Sequence, residues 1–396
     1  MSMKTPQGNR LHVGIFGETN AGKSSLFNAL TNTDIAIVSE EMGTTTDSVQ
    51  KAMELLPFGP IVLIDTAGLN DSTTLGQKRL EKTKKIIERI DLALYVIDAS
   101  RIRGSITAYH AFAAMLKDRD IPHIVAITKS DVPDSAADSE LPHGISVSVY
   151  ESDTIEHLKQ AMVRELSAIK DDADTLLGDL LSPGSTVVMV VPIDSAAPKG
   201  RLILPQVQLI RDCLDNGCMV HISTEKELAQ MLDNVKHVDL VVTDSQAFKQ
   251  VSQIVPKAIK LTSFSILMAR QKGDISILLE GIKAVANLQN SDKVLISEVC
   301  THSRTHEDIG QVKIPAALKQ MTGKDLVLEF TQGRDFPDDL SAYAMVIHCA
   351  GCMITPREMK NRIKTAKDAG TPITNYGLFL AHATGILERS IEILGE

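Results

Sequence analysis

The chain has 396 residues, enough for two or three domains each with its own core, and 43% hydrophobic with 23% charged residues is an ordinary globular composition. A formal net charge of −9 argues against broad nucleic-acid or anionic-membrane binding, which needs a basic footprint. The most apolar run, Val187 to Ile193, is far too short to cross a bilayer, and MSMKTPQGNR leads into the first strand with no signal-peptide h-region, so a cytoplasmic location away from membranes is expected.

From Leu11 to about Ser167, the β-branched runs LHVGIF, IVLIDT, LALYVIDAS and HIVAITKS alternate with helical stretches. They are apolar on both faces, as strands buried in a mostly parallel sheet are. The stretch DDADTLLGDLLSPGS is acidic and ends in Pro-Gly, which reads as a linker. A second block sets the strands STVVMVVPIDS, CMVHIST and VDLVVTDS around the helices LPQVQLIRDCLDNG and EKELAQMLDNV. A third starts near Leu261 and holds DKVLISEVC, KDLVLEFTQG, YAMVIHCAG and long helices such as TPREMKNRIKTAKDAG.

Gly17-Glu18-Thr19-Asn20-Ala21-Gly22-Lys23-Ser24, followed by Ser25, fits G-x-x-x-x-G-K-[ST] between a strand and a helix. The glycines let backbone N–H groups turn inward around a phosphate, and the helix N-terminus adds its positive dipole end. Lys23 then reaches the β- and γ-phosphates and the Ser24 hydroxyl holds Mg²⁺. Asp65, in Asp65-Thr66-Ala67-Gly68, ends a strand where it can hold the same ion, and the Gly68 N–H can meet the γ-phosphate. The polar loop Gly43-Thr44-Thr45-Thr46-Asp47 brings a hydroxyl to Mg²⁺ from Thr45, beside Thr44. In Thr128-Lys129-Ser130-Asp131, Asp131 is placed to accept from guanine N1–H and the exocyclic amine, which adenine cannot supply. Lys129 can lie over the base, and Ser148 and Val149 can close the pocket.

At these residues the chain resembles the translation-factor-like GTPases, in the TrmE/Era-like branch of tRNA-modification and ribosome-assembly proteins. Two positions depart from that pattern. Thr128 stands where asparagine is commoner, and Leu69 stands where signalling GTPases carry a water-positioning glutamine. Relatives with an asparagine at the place of Asn20 hold a potassium ion beside the phosphates. The resemblance therefore implies K⁺-stimulated hydrolysis of GTP, slow alone, with Lys23, Asn20, Thr45 and Gly68 as the catalytic set.

Five cysteines in a long chain do not suggest a disulfide framework. Cys213 and Cys218 flank a turn and read as structural. Cys300 and His302 stand at the end of DKVLISEVC, and His348, Cys349 and Cys352 at the end of YAMVIHC. Crevices form outside the carboxyl ends of parallel strands, so the two groups converge if their strands are neighbours. Three cysteines with histidines suit zinc in a Cys₃His site or an iron–sulfur cluster.

A GTPase domain followed by C-x-H and, much later, H-C-x-x-C resembles the iron–iron hydrogenase maturation GTPases, the HydF family, over the whole chain. The segment Ala197-Pro198-Lys199-Gly200-Arg201-Leu202-Ile203-Leu204-Pro205-Gln206 adds to the likeness. The resemblance implies an α/β fold: a P-loop GTPase domain at 1–170, a linker at 171–184, and two smaller α/β domains with mostly parallel sheets. These are a dimerisation domain at 185–262 and a cluster-binding domain at 263–396. It further implies a 4Fe-4S cluster on Cys300, Cys349 and Cys352. A fourth ligand would come from His302 or His348, or from the nearby carboxylates Glu298, Glu307 and Asp308. The implied role is a homodimeric scaffold. It receives a di-iron precursor built with radical-SAM maturases and passes it to apo iron–iron hydrogenase. The competing reading is an RNA-modification or ribosome-assembly GTPase with a structural zinc site, although the sequence shows no RNA-binding module signature.

Overall fold

The computed structural model describes residues 8, 10–32, 49–66, 83–129, 144–171, 175–193, 200, 202–299, 309–333 and 335–395. The chain divides into two compact units, Met1–Ala173 and Asp174–Glu396.

The first unit is built on strands β1 (Leu11–Gly17), β2 (Gln50–Leu55), β3 (Gly59–Asp65), β4 (Leu92–Asp98), β5 (His123–Thr128) and β6 (Ile145–Val147). Helices α1 (Lys23–Asn32), α2 (Ile102–Lys117) and α3 (Ser152–Asp171) accompany them. The strand order is β2-β3-β1-β4-β5-β6, parallel except for the antiparallel β2–β3 pair. Strand β4 shows why a continuous apolar run makes a central strand: all seven of its residues are buried. Side chains alternate faces along a strand. Leu92, Leu94 and Val96 accordingly enter one core with Leu26 and Leu30 of α1, and Ala93, Tyr95 and Ile97 enter the opposite one with Phe112 of α2. The rings of Phe16 and Tyr95 lie 4.8 and 5.0 Å from that of Phe112.

The second unit carries two four-stranded sheets. The first comprises β7 (Thr186–Val190), β8 (Met219–Ser223), β9 (Leu240–Thr243) and β10 (Lys260–Ser263) in the order β10-β9-β7-β8. Between and after them run α4 (Leu204–Asp215), α5 (Leu228–Asn234), α6 (Phe248–Ile254), α7 (Phe264–Lys272) and α8 (Ile275–Ile282). The second comprises β11 (Lys293–Glu298), β12 (Val327–Gln332), β13 (Met345–His348) and β14 (Ile373–Asn375) in the order β12-β11-β13-β14. Its helices are α9 (Ile314–Thr322), α10 (Pro356–Asp368), α11 (Tyr376–Ala383) and α12 (Leu387–Ile391). Every strand pair in both sheets is parallel. Strand β7 repeats the two-faced pattern, with Val187 and Met189 on one side and Val188 and Val190 on the other.

The acidic stretch read as a linker is packed from residue 175 onward. Leu176 and Leu177 are core side chains of the second unit. Their backbone N–H groups donate to the two carboxylate oxygens of Asp212 at 3.0 and 2.8 Å. Asp179 pairs with Arg270. Among the described residues, no helix is long and apolar enough to cross a membrane.

Candidate functional site

In the first unit the predicted nucleotide residues gather at the carboxyl edge of the sheet. Gly17 leaves β1 at a φ of +140°, and a Cβ there would lie 2.3 Å from the Val96 carbonyl oxygen, so only glycine lets the chain turn against β4. The loop Glu18, Thr19, Asn20, Ala21 and Gly22 follows, with Asn20 left-handed at 65°. Lys23 opens α1, is buried, and donates from Nζ to the Glu18 carbonyl at 2.7 Å. Ser24 and Ser25 are exposed on the first turn.

The two magnesium candidates that the structure describes are in contact: Ser24 Oγ donates to Asp65 Oδ2 at 2.8 Å. The other carboxylate oxygen, Oδ1, is buried with no hydrogen-bond partner among the described residues. Burial pushes the Asp65 carboxyl above its ordinary value, and the Ser24 bond and Lys23 charge offset this only in part. Burial likewise lowers Lys23, against the pull of Asp65 and Glu18. A carboxylate with one orphaned oxygen, its other oxygen bonded to an exposed hydroxyl, is a hard donor set that fits Mg²⁺.

Further along the same sheet edge, β5 and β6 end in register, Thr128 beside Val147, just before Lys129 and Ser148 in sequence. Thr128 Oγ1 donates to the Ala21 carbonyl at 2.6 Å, so the residue that departs from the common asparagine braces the loop. Lys129, left-handed at 58°, donates to the Asn20 carbonyl at 3.3 Å and to Asp98 Oδ2 at 2.5 Å. Asp98 was not singled out from the sequence. It closes β4 directly beside Thr128 and also accepts from Ser100 N and Oγ at 3.0 and 2.7 Å. Burial raises its carboxyl, but the Lys129 and Ser100 bonds outweigh that and hold it below its ordinary value. Its one sequence signal is an aspartate ending an apolar run, as Asp65 does. Ser148 is buried and Val149 half-buried.

In the second unit, β11 and β13 are parallel neighbours, with Ser297 paired to His348. The chain crosses from β11 to β12 on one side and from β13 to β14 on the other, so their carboxyl ends form the switch point of this sheet. Cys349 lies there. Its Sγ accepts from the Val299 N–H at 3.2 Å and the Gly351 N–H at 3.4 Å. The residue preceding Cys300 therefore touches the first sulfur of Cys349-x-x-Cys352. Desolvation, with Cys352 adding to it, pushes the Cys349 thiol up to about 11, while the two amides pull the other way. A soft cation that displaces the proton suits such a site. Cys352 is half-buried.

His348 is fully buried and engaged at both ring nitrogens. In the neutral tautomer this network requires, Nδ1–H donates to the Cys349 carbonyl at 2.7 Å and Nε2 accepts from Arg362 at 3.0 Å. Burial and the Arg362 charge lower its pKa to about 3. In this arrangement it has no lone pair left for iron. Arg362 in turn donates to Glu358 and the Gly333 carbonyl and lies over the Phe336 ring, contacts that no sequence spacing announced.

Thr44, Thr45, Gly68, Leu69, Asp131, Cys300, His302, Glu307 and Asp308 lie outside the described residues. Among the described residues, no group of three or more His, Cys, Asp or Glu is arranged to hold a metal ion.

Residues 276–393 match the Hydrogen maturase F tetramerization domain, residues 176–273 the Hydrogen maturase F dimerization domain, and residues 12–129 the 50S ribosome-binding GTPase family. The first unit is thus a P-loop GTPase domain. Curated relatives include the tRNA modification GTPase MnmE of Chromobacterium violaceum, 38% identical over 128 residues, which are 32% of this chain and 28% of that protein. The MnmE of Pelagibacter ubique is 39% identical over 131 residues, 33% of this chain and 28% of that protein. The chain spans less than a third of the length of these two relatives. Among solved structures, the G domain of the T. maritima FeoB iron transporter is similar at 24% identity and a TM-score of 0.32, over 40% of this chain and 99% of that one.

Proposed function

We propose that this chain, which carries the domain set of the hydrogen maturase F family, is a GTP-hydrolysing iron–sulfur scaffold. It delivers a di-iron precursor to apo iron–iron hydrogenase. The observation that carries the reading is the Val299 N–H on Cys349 Sγ, which brings the residue just after β11, the neighbour of Cys300 in sequence, onto the sulfur of a distant C-x-x-C turn. Two amide donors on that sulfur offset part of the burial that raises its thiol, and a metal that displaces the proton removes the rest of that cost. Cys300, Cys349 and Cys352 would hold a 4Fe-4S cluster, which would supply an attachment point for the precursor. With His348 tied to Arg362, the fourth contact falls to His302, a carboxylate or the cargo itself.

In the first unit, backbone N–H groups of 17–23 and Lys23 bind the phosphates, and Ser24, Thr45 and Asp65 hold Mg²⁺. Asp131 and Lys129 read guanine, and Asn20 serves a K⁺ ion that supplies positive charge to the transition state. GTP state orders the loops at Thr45 and Gly68 and so changes affinity for partners: the radical-SAM maturases and the apo-hydrogenase. The protein acts as a homodimer, in the cytoplasm.

Anaerobic reconstitution with iron and sulfide tests the cluster. A broad brown absorption and a reducible paramagnetic signal are expected, lost on replacing Cys300, Cys349 or Cys352 with alanine while GTP hydrolysis stays nearly intact. A colourless protein holding one zinc per chain would overturn the scaffold reading in favour of a zinc-bearing GTPase. Equal hydrolysis rates in K⁺ and Na⁺ would remove the role of Asn20.

A further inference from the structure

Lys272, the last residue of α7, is 1% exposed. Its Nζ donates to three backbone carbonyls of one turn: Gly351 at 3.1 Å, Cys352 at 3.1 Å and Ile354 at 2.8 Å. Three acceptors on one nitrogen need three N–H donors, which only the ammonium form has. A positive charge is therefore buried against the Cys349-x-x-Cys352 turn.

The turn is built to receive it. Gly351 is left-handed at +65°, and a Cβ there would press on Ile354 at 3.3 Å. The Ile354 N–H closes on the Gly351 carbonyl at 3.2 Å. The Gly351 N–H is turned to Cys349 Sγ while the Gly351 carbonyl meets Lys272, so one peptide segment links ammonium to sulfur. The two ends come from stretches that match different family models, Lys272 from the one matching the dimerization domain and the turn from the one matching the tetramerization domain. Burying a charge is costly, and a turn that had only to close could be covered by an apolar side chain. An ammonium serves where carbonyls must be held in place and negative charge gathers nearby, as it does on a thiolate-bound iron–sulfur group.

We propose that Lys272 is a positioning residue of the iron–sulfur site. It fixes the 349–352 turn so that both thiolates serve one metal centre, and its charge favours the reduced cluster. The inference rests on the cluster reading above.

The test uses the full chain as wild type, Lys272→Met and Lys272→Arg. Apo protein is alkylated, and the rate at each cysteine is followed by mass spectrometry. Protein reconstituted with iron and sulfide is titrated potentiometrically by electron paramagnetic resonance. In Lys272→Met, alkylation of Cys349 should run at least about tenfold faster, while Cys213 and Cys218, buried in the neighbouring core, keep their wild-type protection. The oxidised-to-reduced ratio of its cluster at fixed potential should rise about tenfold, a midpoint lower by about 59 mV for one electron. Lys272→Arg, which keeps the charge, should hold the wild-type potential. If Lys272→Met binds no iron, the alkylation pattern decides alone. Wild-type alkylation at Cys349 with an unchanged potential overturns the proposal, and so does equal acceleration at all four described cysteines, which marks general loosening. A wild-type chain that takes up no iron overturns the cluster reading and this inference with it.

Discussion

Asp98→Asn isolates one buried carboxylate, at the end of β4 and paired with Lys129. The Asp98 side chain is 6% exposed, and its bond to Lys129 is 2.5 Å long. Asparagine keeps the shape and an oxygen for Ser100 but removes the charge. A hydrogen bond to a charged group contributes about 1.5–3 kcal/mol. The Lys129 side chain is 45% exposed, so water and ions reclaim part of that, leaving about 1–2 kcal/mol. Lys129 also bonds the Asn20 carbonyl, so the energy that holds it is energy that preorganises the 17–23 loop and the end of β5 together. At 1.4 kcal/mol per factor of ten, affinity for GDP should fall about 5- to 30-fold. Titration calorimetry reads the affinity directly, with the melting temperature as a control for folding. Wild-type affinity in a folded Asp98→Asn protein would show that Lys129 is oriented by something else, and the reasoning would fail.

The same carboxylate makes a pH prediction. Its pKa is held below the ordinary 3.8, so its stabilising contribution is complete above that value and is lost as pH falls through the folded value. The stability gap between wild type and Asp98→Asn should be constant above roughly pH 5 and narrow below 3.8; a gap flat down to about pH 2 would contradict the pairing. Thr128→Val keeps the volume but strips the 2.6 Å bond from the Ala21 carbonyl; thermal unfolding of the first unit should register a loss of about 1–2 kcal/mol, and no loss would place the brace elsewhere. Arg389 ties α12 to the carbonyls of Ser252, Val255, Pro256 and Ile259 at 2.7 to 3.2 Å. Arg389→Met should cost the second unit about 2–4 kcal/mol in denaturant unfolding, and a cost below about 0.5 kcal/mol would mean that solvent replaces these bonds.

The amino-acid sequence by itself determined the features that depend on contiguous residues. A phosphate loop is a run of backbone N–H groups between a strand and a helix, so Gly17 to Ser24 announces it. Strands buried on two faces read as unbroken apolar runs, so β1, β4 and β7 are legible without a partner. What tertiary structure alone decided is where polar groups from distant segments find each other. Leu176 and Leu177 sit in an acidic, Pro-Gly-ended stretch and still pack as core, because Asp212 of α4 satisfies their amides. His348 looks from its neighbours like a ligand, yet Arg362, brought in by α10, occupies its ring. Lys272 has no spacing that marks it; it matters because the end of α7 meets three carbonyls some eighty residues further along the chain. Buried polar groups must be paired, and a chain can pair them only after it has folded, so that part of the chemistry appears in no local pattern.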